Sequence, residues 1–265
     1  MENIIKSNLP PIEIGNILPS RQNMTAIVSG KGGVGKTWFA ITLAHALSLP
    51  RKKILFFDGD LGLSNIDSQI GLMTTNDISS AITGATTLNQ IVNTIEKVHF
   101  DVIAGRSGSS KLSAMPVGRL QILAEDLLLL SAKYDKVLLD MGNGIDQSIR
   151  TLSGIAENII VICTDEPNSL IEAYGVIKTI SSQYPKCKIS IVVNQANTIQ
   201  AGQRTYDTLN KACHSFLKIS PPLLGIIRKD ARVRDAIRNQ MSIITRYPTS
   251  EAAKDVIEIA RKLQK

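Results

Sequence analysis

Residues 30–37 of the chain read Gly30-Lys31-Gly32-Gly33-Val34-Gly35-Lys36-Thr37. This order matches the phosphate-binding pattern G-x-x-x-x-G-K-[ST], in which a glycine-rich loop joins a strand to a helix. The glycines let backbone N–H groups point at phosphate oxygens, and the positive end of the helix adds to the attraction. We therefore expect Lys36 to reach the β- and γ-phosphates of a bound nucleotide and the Thr37 hydroxyl to bind Mg²⁺.

The sequence around this loop alternates short β-rich runs with helical patterns. A strand is predicted at 25–29, directly before the loop, and a helix at 36–49, directly after it. Several of the later strands are apolar without alternation, which is typical of strands buried on both faces of a parallel sheet. Further strands are predicted at 53–57, 97–103, 136–139, 158–163, 189–193 and 223–227, and further helices at 116–132, 169–181, 201–215 and from Ser250 onward, with short helices and loops over 64–96.

These patterns predict one α/β domain with a mostly parallel P-loop NTPase sheet and helices on both of its faces. The domain is expected to span residues 25–265, because no linker, repeat or low-complexity tract divides that range. Residues 1–24 show no sustained period and carry Pro10, Pro11 and Pro19, so they are predicted to form an irregular leader.

Polar side chains follow three of the predicted strands. Asp140 ends an apolar strand in the manner of a Walker B element, where a carboxylate holds the Mg²⁺ shell through water. Asp58 and Asp60 follow the second strand, at the edge of the sheet where α/β proteins bind ligands, and one of them is expected to orient the attacking water or help bind Mg²⁺. Asn194 ends a later strand, and its amide can pair with a purine edge, although asparagine is more often a turn residue there.

Composition excludes several classes of protein. Apolar residues make up 43% of the chain and charged residues 20%, which rules out global disorder, a collagen-like fibre and a coiled-coil rod. Cys163, Cys187 and Cys213 are odd in number and widely spaced, so a reducing cytosol fits better than a disulfide scaffold. No signal peptide is expected, and no apolar run approaches the ~20 residues that cross a bilayer.

The net charge of +7 permits an anionic partner, namely a nucleotide, a nucleic acid or an acidic membrane. A basic run over 228–246 is compatible with nucleic acid or acidic lipid, but a solvated helix face is the commoner meaning of such a run. The three histidines, His45, His99 and His214, share no metal-binding spacing. The basic run contains Arg228, Lys229, Arg232, Arg234, Arg238 and Arg246.

The loop with its preceding serine, Ser29 to Thr37, resembles the deviant Walker A box of the MinD/ParA ATPases, whose signature lysine corresponds to Lys31. Within that class, Phe57-Asp-Gly-Asp-Leu-Gly-Leu-Ser-Asn-Ile-Asp67 is similar to the switch I segment of the FlhG/FleN (YlxH-like) regulators of flagellar number. Segments 102–108, 134–140 and 164–174 resemble later parts of those proteins, so the resemblance runs from about Met24 to the end.

The resemblance implies a role for each matching residue. Lys31 would contact ATP across a sandwich dimer, while Lys36 would bind phosphate and Thr37 would bind Mg²⁺. Asp60 would position the attacking water. Asp58 would belong to the same Mg²⁺ and switch I cluster, and the resemblance does not separate its role from that of Asp60. Asp140 would serve as Walker B, and Asn194 would contact adenine. Because the loop is expected to be exposed, replacing Lys36 by alanine is predicted to leave the fold intact.

The same resemblance implies an ATP-hydrolysing switch that dimerises with ATP, turns over slowly with stimulation by a partner, and regulates flagellar number, placement or assembly. The expected partners are ATP or ADP, a second copy of the chain, and a flagellar GTPase or assembly component. The alternatives are a ParA-like partition ATPase that binds DNA non-specifically, a septum-site MinD-like regulator, and a nucleotide-binding adaptor with negligible turnover. The expected location is the cytoplasm, with peripheral contact at the inner face of the membrane at most.

The sequence departs from the family pattern at several points. Trp38 stands where a small polar residue usually follows the loop threonine, and Gly59 and Asn143 are unusual within their segments. The leader lacks the Asp-Gln-Ala stretch of many FlhG proteins, and no separate amphipathic lipid-binding helix is read after the helix 250–264. Direct membrane recruitment is therefore not predicted.

Overall fold

The computed structural model of the chain describes residues 21–60, 66–71, 78–104 and 112–264. Most of the leader, residues 1–20, lies outside these ranges. So do residues 61–65 of the switch I segment and residues 105–108 of the next matching segment. The two carboxylates at the start of switch I, Asp58 and Asp60, are within them.

The described chain forms an eight-stranded sheet in the order β3-β4-β2-β5-β1-β6-β7-β8. Neighbouring strands are parallel except β3, which runs antiparallel to β4 at one edge. The predicted α/β fold with a mostly parallel sheet is confirmed. The strands are β1 (Met24–Ser29), β2 (Ile54–Asp58), β3 (Asn93–Ile95), β4 (Phe100–Ile103), β5 (Lys136–Asn143), β6 (Asn158–Cys163), β7 (Lys188–Ala196) and β8 (Leu223–Arg228).

Helices cover both faces of this sheet. One face packs against α3 to α7 and the other against α1, α2 and α8 to α10, so that each face has its own apolar core. Within the described ranges, no helix is long and apolar enough to cross a membrane. The helices are α1 (Lys36–Ser48), α2 (Ile66–Ile70), α3 (Ile78–Ile82), α4 (Val117–Ser131), α5 (Gln147–Ser153), α6 (Pro167–Gln183), α7 (Ile199–Ala212), α8 (Arg232–Arg238), α9 (Ile243–Arg246) and α10 (Glu251–Lys262).

The central strand β1 shows why the sequence pattern is continuous rather than alternating. Every residue of β1 is buried, because Ala26 and Val28 contribute to one core while Ile27 contributes to the other. Trp38 is 8% exposed and packs into the second core with the rest of α1. The unusual tryptophan after the loop is therefore a core residue.

Local differences from the predicted elements have tertiary causes. Strand β1 begins at Met24, which was assigned to the leader, because that residue pairs with Val137 of β5. The short edge strand β3 lies in a range predicted as helices and loops, and only its pairing with β4 identifies it. The helix predicted over 201–215 ends at Ala212 and continues as a π-helix, Cys213–Leu217. The last helix begins where the sequence predicts, since Ser250 is its N-cap and the Ser250 side chain accepts a hydrogen bond from the Ala253 N–H.

The buried histidine of α1 makes the stability of this core depend on pH. His45 is 4% exposed, and its Nδ1 lies 2.7 Å from the Ser242 hydroxyl oxygen at the start of α9. Burial, helped by the nearby His99, lowers the pKa of His45 from 6.5 to about 4. Between these values the unfolded state binds the extra proton, so the free energy of unfolding should fall by roughly 1.4 kcal/mol for each pH unit of acidification.

Urea unfolding at several pH values between 7 and 4 tests this expectation in wild type and in His45→Gln. The variant has no titrating imidazole, while other groups titrate in both proteins, so the difference between the two curves isolates His45. We expect wild type to lose more stability than the variant as the pH falls. Parallel curves would show that His45 does not couple folding to pH.

Candidate functional site

The glycine-rich loop joins the carboxyl end of β1 to the start of α1. Gly33 and Gly35 have φ values of +80° and +85°, a backbone conformation that side chains with a Cβ rarely adopt. A Cβ on Gly35 would also lie 2.5 Å from Nδ2 of Asn194. The loop therefore needs glycine at these positions to curl in front of α1, which is the shape of a phosphate-binding loop.

The first half of the loop packs against the start of α6. A Cβ on Gly30 would lie 2.4 Å from the backbone carbonyl carbon of Glu172, so only glycine allows this approach. Lys31 extends from the same turn and forms an ion pair with Glu166, the residue before α6. The Lys31 side chain is 33% exposed and that of Glu166 is 58% exposed, so this pair lies at the rim of the site.

Lys36, the first residue of α1, points into the protein. Its ammonium donates to Oδ1 of Asp140 at 2.6 Å, and the two side chains are 7% and 0% exposed. The expectation of an exposed lysine was therefore wrong, because the adjacent strand β5 brings a carboxylate beneath the loop. Removing one partner of such a buried pair leaves an uncompensated charge, which costs roughly 3–5 kcal/mol.

Two buried carboxylates lie side by side at the carboxyl edge of the sheet. Asp58 of β2 is directly opposite Asp140 of β5 in the parallel register. Burial, reinforced by the charge of Asp140, raises the pKa of Asp58 to about 7. Burial also raises the pKa of Asp140, while the ammonium of Lys36 and the hydroxyl of Thr37 oppose the rise.

Gly59 lets these two strand ends approach each other. Its N–H donates to the Asp140 carbonyl oxygen at 2.7 Å, and a Cβ there would lie 2.9 Å from the same oxygen. This contact explains the glycine that is unusual within its segment. The next residue, Asp60, is half-buried, and its backbone N–H donates to Oδ1 of Asp58 at 3.1 Å.

Residues after Asp140 also border the loop. The N–H of Gly144 (φ +95°) donates to the Ser29 carbonyl oxygen at 2.9 Å, which joins the end of β5 to the start of the loop. The amide nitrogen of Asn143 would lie 3.6 Å from a Cβ on Gly32. Asn143 is thus a polar neighbour of the phosphate loop.

Asn194 lies at the end of β7 with 3% of its surface exposed. Its amide nitrogen donates to the Val34 carbonyl oxygen at 2.8 Å, and its amide oxygen accepts from the Gln195 N–H at 2.9 Å. In this arrangement the side chain supports the back of the loop. Contact of Asn194 with adenine stays a prediction, and one N–H and one lone pair of the amide remain for it.

The arrangement suits a magnesium nucleotide. Among the described residues, the buried oxygens Oδ2 of Asp58 and Oδ2 of Asp140 have no hydrogen-bond partner. Mg²⁺ prefers oxygen ligands of this kind. The Thr37 hydroxyl is within hydrogen-bond reach of Asp140, so both could belong to the ligand shell of one Mg²⁺ ion. When bound, the ion would neutralise charge on the phosphates and on both carboxylates. Lys36, Thr37 and the loop N–H groups would hold the phosphates.

The site residues predicted from sequence are brought together at one edge of the sheet, as far as the structure describes them. Sequence reasoning missed Glu166 as a site residue. It lies three residues after the end of β6, near the carboxyl edge, and that position was a usable signal, since ligands of parallel sheets bind at this edge.

A profile of the CobQ/CobB/MinD/ParA nucleotide binding domain matches residues 25–243. The chain belongs to this family. The resemblance to the MinD/ParA class is thereby confirmed, and the chain is a nucleotide-binding protein of the MinD/ParA ATPase type.

Two relatives in sequence match most of the chain. The antiactivator FleN of Pseudomonas aeruginosa is 26% identical over 251 residues, covering 95% of this chain and 89% of FleN. The flagellum site-determining protein YlxH of Helicobacter pylori is 28% identical over 238 residues, covering 89% of this chain and 79% of YlxH. The resemblance to the FlhG/FleN (YlxH-like) proteins noted in the sequence is therefore confirmed over most of the chain.

Solved structures share the fold. MinD of Pyrococcus horikoshii, complexed with Mg-ADP, superimposes with a TM-score of 0.77 at 22% identity, covering 92% of this chain and 96% of that one. MinD cell division protein in its MinC:MinD complex from Aquifex aeolicus gives a TM-score of 0.76 at 22% identity, over 91% and 95% of the two chains.

Proposed function

We propose that the protein is an ATP-hydrolysing switch that forms an ATP-dependent homodimer and regulates the number, placement or assembly of flagella. It would act in the cytoplasm, with peripheral membrane contact at most, and a protein partner would stimulate slow turnover. The similarity to FleN and YlxH supports the flagellar role. The proposal of an ATP-dependent dimer depends on one observation, the position of Lys31 at the rim of the site.

Lys31 is not needed to complete the phosphate contacts of its own site. Lys36 already lies in the position from which a loop lysine reaches the phosphates, because it is the first residue of α1 and points beneath the loop. Lys31 lies instead at the rim, held by the partly exposed Glu166. In a face-to-face dimer, a rim lysine can reach the triphosphate of the opposite subunit and stabilise charge in the transition state.

A surface for the protein partner adjoins this rim. Ile171 of α6 and Phe216 of the π-helix are 69% and 77% exposed, and Phe216 makes an edge-on contact with Tyr174, with ring centroids 6.5 Å apart. Exposed apolar side chains that cluster are typical of protein-binding surfaces. Helix α6 begins beside Lys31 and Glu166, so a nucleotide-driven change at the loop would be transmitted to this surface. We propose that the flagellar GTPase or assembly component binds here.

Asp60→Ala tests the switch directly. The variant should still bind Mg-ATP but stop hydrolysing it, because a group that positions water contributes mainly to the chemical step. It should therefore accumulate as a dimer with ATP, whereas wild type returns to monomer as ATP is consumed. Size-exclusion chromatography and a phosphate-release assay measure both effects. Normal hydrolysis, or a monomer in the presence of ATP, would refute the assignment.

The same ATP-locked variant serves as bait for the partner. We expect it to capture flagellar proteins from a lysate of the source cells with ATP but not with ADP. Adding Ile171→Glu to the bait should remove the capture while ATP-dependent dimerisation persists. If the bait retains chromosomal DNA instead, the partition alternative is favoured.

That alternative depends on the basic run over 228–246. Arg228 is neutralised by Asp255 at 2.6 Å and also contacts Glu251, while Arg246 pairs with Asp235 at 2.7 Å. The exposed basic residues that remain are Lys229, Arg232, Arg234 and Arg238. A ParA-like activity would require ATP-dependent DNA binding that falls steeply with salt and weakens in Arg232→Ala. The internal ion pairs thus remove two of the six cations of this run from a DNA-binding surface.

A further inference from the structure

Several basic residues lie at the amino edge of the sheet, at the opposite end of the strands from the nucleotide site. Arg51, Lys52 and Lys53 directly precede β2, and Lys133 precedes β5. A cleft of 1130 Å³ opens at this amino edge near β2, β3 and β4. We call it the amino-edge cleft, and its charged and apolar lining includes Leu49, Arg51, Lys52, Lys53, Phe100 and Lys133.

Three cations of this cleft are unpaired in the part of the chain that the structure describes. In the described ranges, the side chains of Arg51, Lys52 and Lys53 form no ion pair. Asp135 accepts from the backbone N–H of Lys53 at 2.7 Å, so it faces the main chain of that lysine. Lys52 also repels the half-buried Lys136, which together with burial lowers the pKa of Lys136. The cations are therefore crowded, and an anionic ligand would relieve their repulsion.

Two carboxylates, Glu96 and Asp101, also line the cleft beside its four basic residues, so the lining keeps an excess of positive charge. Asp101 accepts from the Thr94 hydroxyl at 2.7 Å through Oδ1 and from the Tyr134 hydroxyl at 2.9 Å through Oδ2, so both of its oxygens are engaged within the protein. The Lys133 ammonium donates to Oδ1 of Asn89 at 2.7 Å. The other three basic side chains remain available to a ligand.

An exposed apolar side chain lies among these cations. Leu49, at the end of α1, is 50% exposed beside Arg51, whereas Ile54 and Phe100, which also line the cleft, are buried. A ligand that matches both features carries negative charge and apolar groups within a short length. Its size is also limited, because a cleft near 1,000 Å³ is at the upper end of ordinary ligand pockets.

We propose that the amino-edge cleft binds a short acidic peptide segment of a partner protein, with apolar side chains placed among its carboxylates. A nucleic-acid duplex matches the cations, but its phosphate backbone offers no apolar group for Leu49. A flat bilayer cannot follow a concave surface. The site is separate from the nucleotide-binding edge and does not depend on the function proposed above.

The test is a fluorescence binding assay with an array of short labelled peptides that alternate aspartate or glutamate with leucine. Matched peptides carry serine in place of leucine, and a labelled DNA duplex and phosphatidylserine vesicles serve as the competing ligands. We expect the leucine-containing acidic peptides to bind best, with affinity that falls as salt is raised.

Three variants locate the binding. Lys52→Glu combined with Lys53→Glu should weaken binding of the acidic peptide at least about tenfold, because two attractive charges become repulsive. Leu49→Ser should weaken the leucine-containing peptide and leave the serine peptide unchanged. Lys211→Glu is the matched control, an exposed lysine on α7 at the other side of the sheet, and should bind peptide like wild type. All three should retain ATP binding, which verifies the fold.

The proposal is overturned if no acidic peptide of the array binds wild type, or if the charge reversals leave binding unchanged. Equal binding of leucine and serine peptides would remove the role of Leu49 and with it the proposed ligand. Tighter binding of the duplex or the vesicles, lost in the charge-reversed variant, would assign the cleft to nucleic acid or lipid instead.

Discussion

Lys36→Ala is expected to abolish ATP binding and to destabilise the protein as well. Loss of a charged phosphate contact should weaken nucleotide binding by on the order of a hundredfold or more. The variant also leaves Asp140 buried beside Asp58 without its ammonium partner, at a cost of roughly 3–5 kcal/mol, which proton uptake by the carboxylate pair will reduce. Isothermal titration with Mg-ATP and urea unfolding measure the two effects separately.

A double variant separates binding from stability. Adding Asp140→Asn to Lys36→Ala removes the unpaired charge, so stability should recover while ATP binding stays lost. Wild-type affinity in a folded Lys36→Ala protein would contradict the phosphate role. Unchanged stability in the single variant would instead show that the buried ion pair contributes little to the free energy of unfolding.

Lys31→Ala is expected to bind ATP as a monomer while losing ATP-dependent dimerisation and most of its turnover. Each Lys31 is proposed to reach the triphosphate of the opposite subunit, where a cation supplied in trans accelerates hydrolysis by on the order of a thousandfold. Mixing Lys31→Ala with Asp60→Ala protein should not restore a normal dimer, because one of the two cross-contacts remains absent. Analytical ultracentrifugation with ATP and Mg²⁺ measures the association.

Glu166→Gln is the matched control for this experiment. In the monomer, Glu166 holds the Lys31 ammonium, so the lysine has to leave this carboxylate before it reaches across a dimer. The variant removes that competition and should dimerise at lower protein concentration than wild type, the opposite direction to Lys31→Ala. If Lys31→Ala dimerises and hydrolyses ATP like wild type, the sandwich dimer is wrong for this protein.

Much of the fold follows from local pattern. The apolar runs without alternation predict a parallel sheet covered on both faces, because such strands have no polar face to offer to water. Less regular segments escaped prediction. The edge strand β3 has three residues, and its strand conformation depends on pairing with β4 rather than on its own sequence.

The phosphate loop can be identified from eight consecutive residues, since the chemistry that binds phosphate resides in the loop backbone and in two adjacent side chains. Sequence alone also placed the carboxylates at the carboxyl edge, because parallel strands bring their carboxyl ends together. The end of β5 was wrong, since that strand continues past Asp140 to Asn143. The partners of the two loop lysines were not predictable in this way. Lys36 meets Asp140 across 104 positions and Lys31 meets Glu166 across 135, contacts that arise only when β5 and β6 pair on either side of β1. Burial of that first pair, and with it the raised pKa of Asp58, is a property of the assembled sheet, because water is excluded only after the helices cover both faces.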